Sequence, residues 1–296
     1  MNKVKAWIAA ARLRTLPLSV SGIIVGASLA EPAFYNTTLF WLAIVATVGF
    51  QVLSNFANDY GDGIKGTDTQ REGEKRMVAS GVITPKQMKI GMVVTGIITF
   101  FVASLIIFMA FGYDYLFTAF VFFNLTLLAL LAAVRYTVGS KAYGYSGWGD
   151  VFVFLFFGGL SVLGSYFLFA KTLQWSVLLP AAAIGCFSTA VLNLNNLRDQ
   201  VTDTAVGKRT LVVKMGAEKA KKYHAFLLVF GMLCAVIFTL LTYHDPRQWI
   251  YGIAFVPFFL NIKTVFKNKE PRLLDSELKK VALGTFLFAL LFAIFN

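Results

Sequence analysis

Two polar stripes interrupt otherwise apolar sequence, and their residue types are those that hold a cation and an anion together. The first is Asn55-Phe56-Ala57-Asn58-Asp59-Tyr60-Gly61-Asp62, and the second is Asn195-Asn196-Leu197-Arg198-Asp199-Gln200-Val201-Thr202-Asp203. In the first, Asn55, Asn58, Asp59 and Asp62 recur at i, i+3, i+4 and i+7, one face of a helix. In the second, Asn196, Asp199 and Asp203 recur at i, i+3 and i+7, with Asn195 flanking. Each face offers carboxylates and amides. Hard cations such as Mg²⁺ take oxygen ligands and usually keep phosphate oxygens in their shell. His224 and His244 lie away from both stripes, which argues against zinc. Asn and Asp also cap helix ends. Two matching clusters exceed what capping needs, and carboxylates at membrane depth are too costly to persist without a task.

Basic residues flank both stripes. Lys65, Arg71 and Arg76 follow the first, and Arg198, Lys208 and Arg209 surround the second. Carboxylates, Mg²⁺ and Lys/Arg together are the usual apparatus for a diphosphate. Asp68 extends the first loop, and Gly61, Gly63 and Gly66 permit close backbone approach there. Neither a phosphate-loop lysine motif nor a dinucleotide glycine motif occurs, which sets nucleotide hydrolysis aside. A third segment, 135–150, mixes Gly with Tyr136, Tyr143, Tyr145, Lys141 and Asp150. It reads either as an interfacial aromatic belt or as a lid. As a lid it would put aromatic faces beside a developing carbocation and Lys141 beside an anion.

The elements that must position these stripes are membrane helices. The chain has 296 residues, 57% hydrophobic and 14% charged, the profile of a polytopic membrane protein. Uncharged runs recur at 15–30, 32–58, 90–113, 115–134, 151–170, 172–197, 223–244, 248–262 and 281–296. Most reach the roughly 20 residues needed to cross a hydrocarbon core, and isolated strands cannot satisfy their backbone in lipid. The expectation is an all-α protein of about nine transmembrane helices, a single domain over residues 1–296. A short amphipathic segment precedes the first span.

All but Lys171 and Arg247 of the 27 basic residues fall in the N-terminal segment or in the loops joining helices 2–3, 4–5, 6–7 and 8–9. That bias places the N-terminus and both stripes on the cytoplasmic side of a cell (inner) membrane. It also accounts for the net charge of +12 without nucleic acid, because the basic residues are spread over separate segments. Cys186 and Cys234 both lie in apolar runs and read as packing residues. The stripes end helices 2 and 6, which run in the same direction, so helices 1–4 and 5–8 form a candidate parallel repeat with the site between them.

The pattern resembles the UbiA-type superfamily of intramembrane prenyltransferases. Its paired motifs, Asn-Asp-x-x-Asp and Asp-x-x-x-Asp, match here as Asn58, Asp59 and Asp62, then Asp199 and Asp203. Within the superfamily, the chain is most similar to the branch that prenylates 1,4-dihydroxy-2-naphthoate in menaquinone synthesis. The matches are Arg12 with Thr15-Leu16-Pro17, the run 54–62, Tyr136-Thr137-Val138-Gly139, Tyr143-Gly144-Tyr145 and Gly149-Asp150, then 192–203 with Gly207-Lys208 and Thr210-Leu211-Val212-Val213. It departs at Gly66, where many members carry a third Asp, at Gly73-Glu74 in place of Gly-Pro, and at Ala142 in place of Pro.

The resemblance implies a nine-helix bundle around a central cavity. It also implies transfer of a polyprenyl chain from polyprenyl diphosphate to an aromatic acid, with loss of CO₂ and diphosphate. It makes Asp62, Asp199, Lys141 and Tyr136 the catalytic candidates. Arg12, Asn55, Asn58, Lys65, Arg71, Arg76, Tyr143, Asn195, Arg198 and Lys208 become substrate-binding candidates. Mg²⁺ would fall to Asp59, Asp62, Asp68, Asp199 and Asp203. Other readings are the same chemistry on 4-hydroxybenzoate or homogentisate, phosphatidyl transfer, or a non-enzymatic transporter. Phosphatidyl transfer would call for Asp-Gly-x-x-Ala-Arg, which Asp62-Gly63-Ile64-Lys65-Gly66-Thr67 does not supply.

Overall fold

A computed structural model describes residues 2–66, 76–140 and 142–295. Among the described residues there is no strand, and nine helical spans are long and apolar enough to cross a membrane. In chain order they are α1 (Lys3–Ala30), α2 (Thr38–Lys65), α3 (Pro85–Phe111), α4 (Leu116–Arg135), α5 (Gly149–Ala170), α6 (Trp175–Arg198), α7 (Ala217–Thr242), α8 (Pro246–Lys267) and α9 (Pro271–Phe295). The chain is an all-α, multi-pass membrane protein.

Local chemistry sets the bounds of the elements that carry the site. In α1, Asn2 caps the amphipathic piece Lys3–Ala11, which stops at Arg12 in the left-handed region (φ 50°). A short 3₁₀ turn then leads into Leu16–Ala30, with Pro17 in its first turn, where its missing N–H costs nothing. A non-glycine residue held at positive φ costs about 1–3 kcal/mol and persists only where the surroundings demand it. Thr37 caps α2, and Gly66 (φ 68°) ends it, so the whole first stripe lies on unbroken helix. The second stripe differs: α6 ends at Arg198, Asp199 leaves helical geometry, and a short helix resumes at Gln200–Ala205. Asp203 N–H still reaches Asp199 O at 2.8 Å, so the i+4 relation survives the break. The last span begins earlier than hydropathy indicates, bringing Asp275 and the buried Glu277 into helix.

Most of the α6 span is buried, and it forms the axis of the bundle. Small residues bring α5 against it. A Cβ on Gly158 would lie 2.4 Å from Ala181 O, and one on Gly185 would lie 2.8 Å from the Phe154 ring. The same stretch of α5, Phe154–Leu163, is wound as a wide π-helix. Aromatic side chains of α6, α8 and α9 (Phe187, Phe258, Phe288 and Phe292) interlock in the core. The outward faces of α3 and α4 expose Phe101, Phe117, Phe120 and Leu131, the surface that lipid covers.

Candidate active site

A cavity of about 440 Å³ opens inside the bundle. One end is polar, with Arg12, Asn55, Asn58, Asp62, Arg76, Asn195 and Lys208 on its wall. The rest is an apolar corridor past Ala129, Phe156 and Leu160 to Ile106, Phe122 and Leu168. α2 delivers the first stripe to the polar end and α6 delivers Asn195. The approach of α2 to the 136–138 turn depends on Gly61, whose added Cβ would meet Thr137 O at 2.8 Å.

The four polar residues of the first stripe do different work. Asn55 Nδ2 donates to Ala11 O at 2.9 Å and to Thr15 Oγ1 at 3.3 Å, tying α2 to the kink in α1. Asn58 Oδ1 is buried and accepts no hydrogen bond. Asp59, almost fully buried, accepts the backbone N–H groups of Met77 and Val78, both at 2.9 Å. Asp62 Oδ2 accepts from Arg76 Nη2 at 3.1 Å, and its Oδ1 accepts from the Tyr145 hydroxyl at 2.7 Å. Asp62 is therefore the carboxylate of this stripe that stands on the cavity wall, while Asp59 anchors the chain that brings Arg76 in.

Tyr145 links the two stripes. Lys65 Nζ sits 3.9 Å over its ring and Lys208 Nζ lies 5.5 Å from it. Lys65 also donates to Thr137 O at 2.8 Å, and Lys208 pairs with Asp203 at 3.3 Å. In the second stripe Arg198 is nearly wholly buried. Its Nε and Nη2 grip Asp199 at 2.7 and 2.9 Å, and Nη2 also donates to Asn195 Oδ1 at 2.8 Å. Its Nη1 reaches Asp275 at 2.5 Å, and Asp275 in turn accepts from Arg14 at 3.3 Å. Arg198 thus joins α6 to α9 and, through Asp275, to α1.

An aromatic wall borders the polar end. Tyr136 and Tyr143 meet edge to face at 5.3 Å, and Tyr143 stacks on Phe152 at 4.1 Å. The Tyr143 hydroxyl is engaged, donating to Ala132 O at 2.9 Å. Burial pushes the Tyr136 phenol well above its usual range, and the charges of Asp150, Asp62 and Asp203 add to that. Tyr143 is pushed up by burial. Both phenols are therefore neutral at physiological pH, able to donate but not to act as phenolate bases.

Of the residues singled out by sequence, Arg12, Asn55, Asn58, Asp62, Arg76, Tyr136, Tyr143, Asn195 and Lys208 line the one cavity. Lys65, Asp199 and Asp203 stand behind it, joined to it through Tyr145, Arg198 and Lys208. Asp68, Arg71 and Lys141 lie outside the described residues. Among the described residues no three His, Cys, Asp or Glu side chains converge as a ready metal cluster. The acids of the two stripes are instead engaged by Arg76, Arg198, Lys208 and backbone N–H groups. Sequence reasoning missed Tyr145 and Asp275 as site residues. The Tyr143-Gly144-Tyr145 run carried a signal for the first, whereas Asp275 sits in a charged stretch that reads as loop.

Comparison with known proteins agrees with this geometry. A profile of the UbiA prenyltransferase family matches residues 19–295. The 1,4-dihydroxy-2-naphthoate octaprenyltransferase of Escherichia coli (strain K12) is 38% identical over 99% of this chain and 96% of that protein. The protein of that name from Mycobacterium tuberculosis (strain ATCC 25618 / H37Rv) is 35% identical over 80% of this chain and 79% of that protein. A solved structure of a UbiA homolog from Archaeoglobus fulgidus bound to GPP and Mg²⁺ superposes with a TM-score of 0.66 at 13% identity, covering 98% of this chain and 99% of that one. With two acidic stripes at the mouth of one apolar corridor and a family match across almost its whole length, this chain belongs to the UbiA prenyltransferase family.

Proposed function

We propose that this prenyltransferase transfers a polyprenyl group from its diphosphate to 1,4-dihydroxy-2-naphthoate, releasing diphosphate and CO₂ and forming demethylmenaquinol. The observation that carries the reading is the cavity itself: a cationic and amide-rich end continuous with an apolar corridor. A prenyl diphosphate has the same two halves. The naphthoate acceptor is supported by the relatives named above.

The C–O bond to diphosphate breaks as the bond from the ring carbon to the prenyl carbon forms, and the ring carboxylate leaves as CO₂. Negative charge grows on the departing oxygen, so cations fixed beforehand favour the transition state over the ground state. Arg76 and Lys208 on the cavity wall, with Lys65 behind Tyr145, supply that charge. The faces of Tyr136, Tyr143 and Phe152 line the cavity and would stabilise positive charge developing on the allylic carbon.

The donor set suits Mg²⁺. Asn58 Oδ1 is a buried oxygen with no donor, one helical turn from Asp62. Asn58 and Asp62 on the cavity wall would hold the ion, which neutralises diphosphate charge when bound, and Asp199 and Asp203, engaged by Arg198 and Lys208 behind the wall, are the further candidate ligands. The positive-inside bias supports a cytoplasmic N-terminus and cavity mouth in the cell inner membrane.

The test is product mass after incubating purified protein with a prenyl diphosphate and 1,4-dihydroxy-2-naphthoate, with and without chelator. Prenylated, decarboxylated product that disappears with chelator or with Asp62→Asn is expected. Product formed from 4-hydroxybenzoate but not from the naphthoate would overturn the acceptor assignment.

A further inference from the structure

A second cavity, about 470 Å³, lies on the outer flank of the bundle, at the same membrane face as the stripes. The first two turns of α5, the second and third turns of α7 and the short helix Leu211–Met215 form its walls, and Thr189 of α6 also lines it. Val151 and Leu155 at its rim are exposed on the lipid-facing surface, and Trp148 is exposed beside them. Asp150 and Lys214 bring opposite charges to this otherwise largely apolar space.

Asp150 is only 4% exposed, and its Oδ1 has no hydrogen-bond partner. The Tyr223 hydroxyl is hydrogen-bonded to the same carboxyl, so Oδ1 is the oxygen left without a donor. A buried carboxylate oxygen left without a donor is expensive, and Asp150 lines the flank cavity and not the central one. Lys214 Nζ donates to the neutral Ser146 O at 2.7 Å, which leaves two N–H donors and the full charge for an anion. A ligand completing this arrangement carries a hydrogen-bonding cation, a neighbouring anion and an apolar tail that leaves toward lipid.

We infer that the flank cavity binds the headgroup of an aminophospholipid, with the primary ammonium on Asp150, the phosphate on Lys214 and an acyl chain along Leu155 and Leu227. The position fits: Asp150 is in the first turn of α5 and Tyr223 in the second turn of α7, near the ends of helices of membrane-spanning length. A choline headgroup offers Asp150 no N–H. A glycerol headgroup offers it no cation.

The full chain, purified and delipidated in detergent, is offered equimolar dioleoyl phosphatidylethanolamine, phosphatidylcholine and phosphatidylglycerol, and bound lipid is read by native mass spectrometry. Phosphatidylethanolamine is retained about tenfold over phosphatidylcholine, the scale of one charge-assisted hydrogen bond. Asp150→Asn brings that ratio near parity, whereas Lys214→Ala lowers retention of both lipids about tenfold and keeps their ratio, because the phosphate is common to the two. Equal retention of the two by the wild type, preference for phosphatidylglycerol, or undiminished lipid retention in Lys214→Ala overturns the assignment. Lys214 is at the rim, so its variant decides the matter even where Asp150→Asn fails to fold.

Discussion

Replacing Tyr145 by Phe removes one atom from the centre of the site and leaves its packing in place. The lost hydroxyl donates to Asp62 Oδ1 at 2.7 Å, a hydrogen bond to a charged acceptor. Such bonds contribute about 1.5–3 kcal/mol. Asp62 keeps Arg76 at 3.1 Å, so no orphaned charge is created and the fold is spared. The Phe ring still lies under Lys65, which stands 3.9 Å from the ring centroid, so that cation–π contact survives. The loss therefore falls on the orientation of one carboxylate oxygen. Single-turnover and steady-state prenyl transfer on purified Tyr145→Phe should show kcat/KM lowered about 10- to 100-fold, with a melting temperature lowered by no more than about 10 °C. Tyr145→Ala, which also strips the ring from between Lys65 and Lys208, should fall further. A kcat/KM for Tyr145→Phe equal to or above wild type would refute the reasoning, because it would mean that the phenol competes for Asp62 rather than positioning it.

Asp59→Asn should lower the thermal midpoint in detergent, since one of two buried backbone N–H groups loses its acceptor at a cost of about 1–3 kcal/mol. An unchanged melt would remove Asp59 from its anchoring role. Gly158→Ala should also melt earlier, by the equivalent of about 1–3 kcal/mol, because its Cβ would press on Ala181 O from 2.4 Å; a normal melt would show that α5 and α6 separate freely. Tyr136 is held protonated, its pKa raised by burial and nearby carboxylates, so its ionisation should not shape the pH profile. The ratio of wild-type to Tyr136→Phe activity should stay flat from about pH 6 to 10; a drop centred below 10 would contradict this.

Much of the candidate site could be read from the chain before any packing was known. Asn58 and Asp62 were placed together by helical spacing, and α2 does run unbroken through them. The basic residues proposed around a diphosphate divide in the fold. Arg76 and Lys208 reach the cavity, whereas Arg198 spends its guanidinium on Asp199, Asn195 and Asp275. Nothing in the local sequence separates these outcomes, because each residue is a cation next to an acidic stripe. What separates them is which neighbouring helix offers a carboxylate, and at what depth.

The sequence by itself determined the class of molecule, the nine spans and the two polar faces, since apolar run length and i, i+3, i+4 spacing are local properties. Only the tertiary structure decided how each carboxylate is used. Asp59 turned to backbone N–H groups 18 and 19 residues on, Asp62 met a phenol 83 residues away, and Arg198 met Asp275 across 77 residues. Periodicity says which side chains share a face. It does not say which helix that face will meet, because that depends on close approach at small residues such as Gly61 and Gly158 to segments remote in the chain, Thr137 and Ala181.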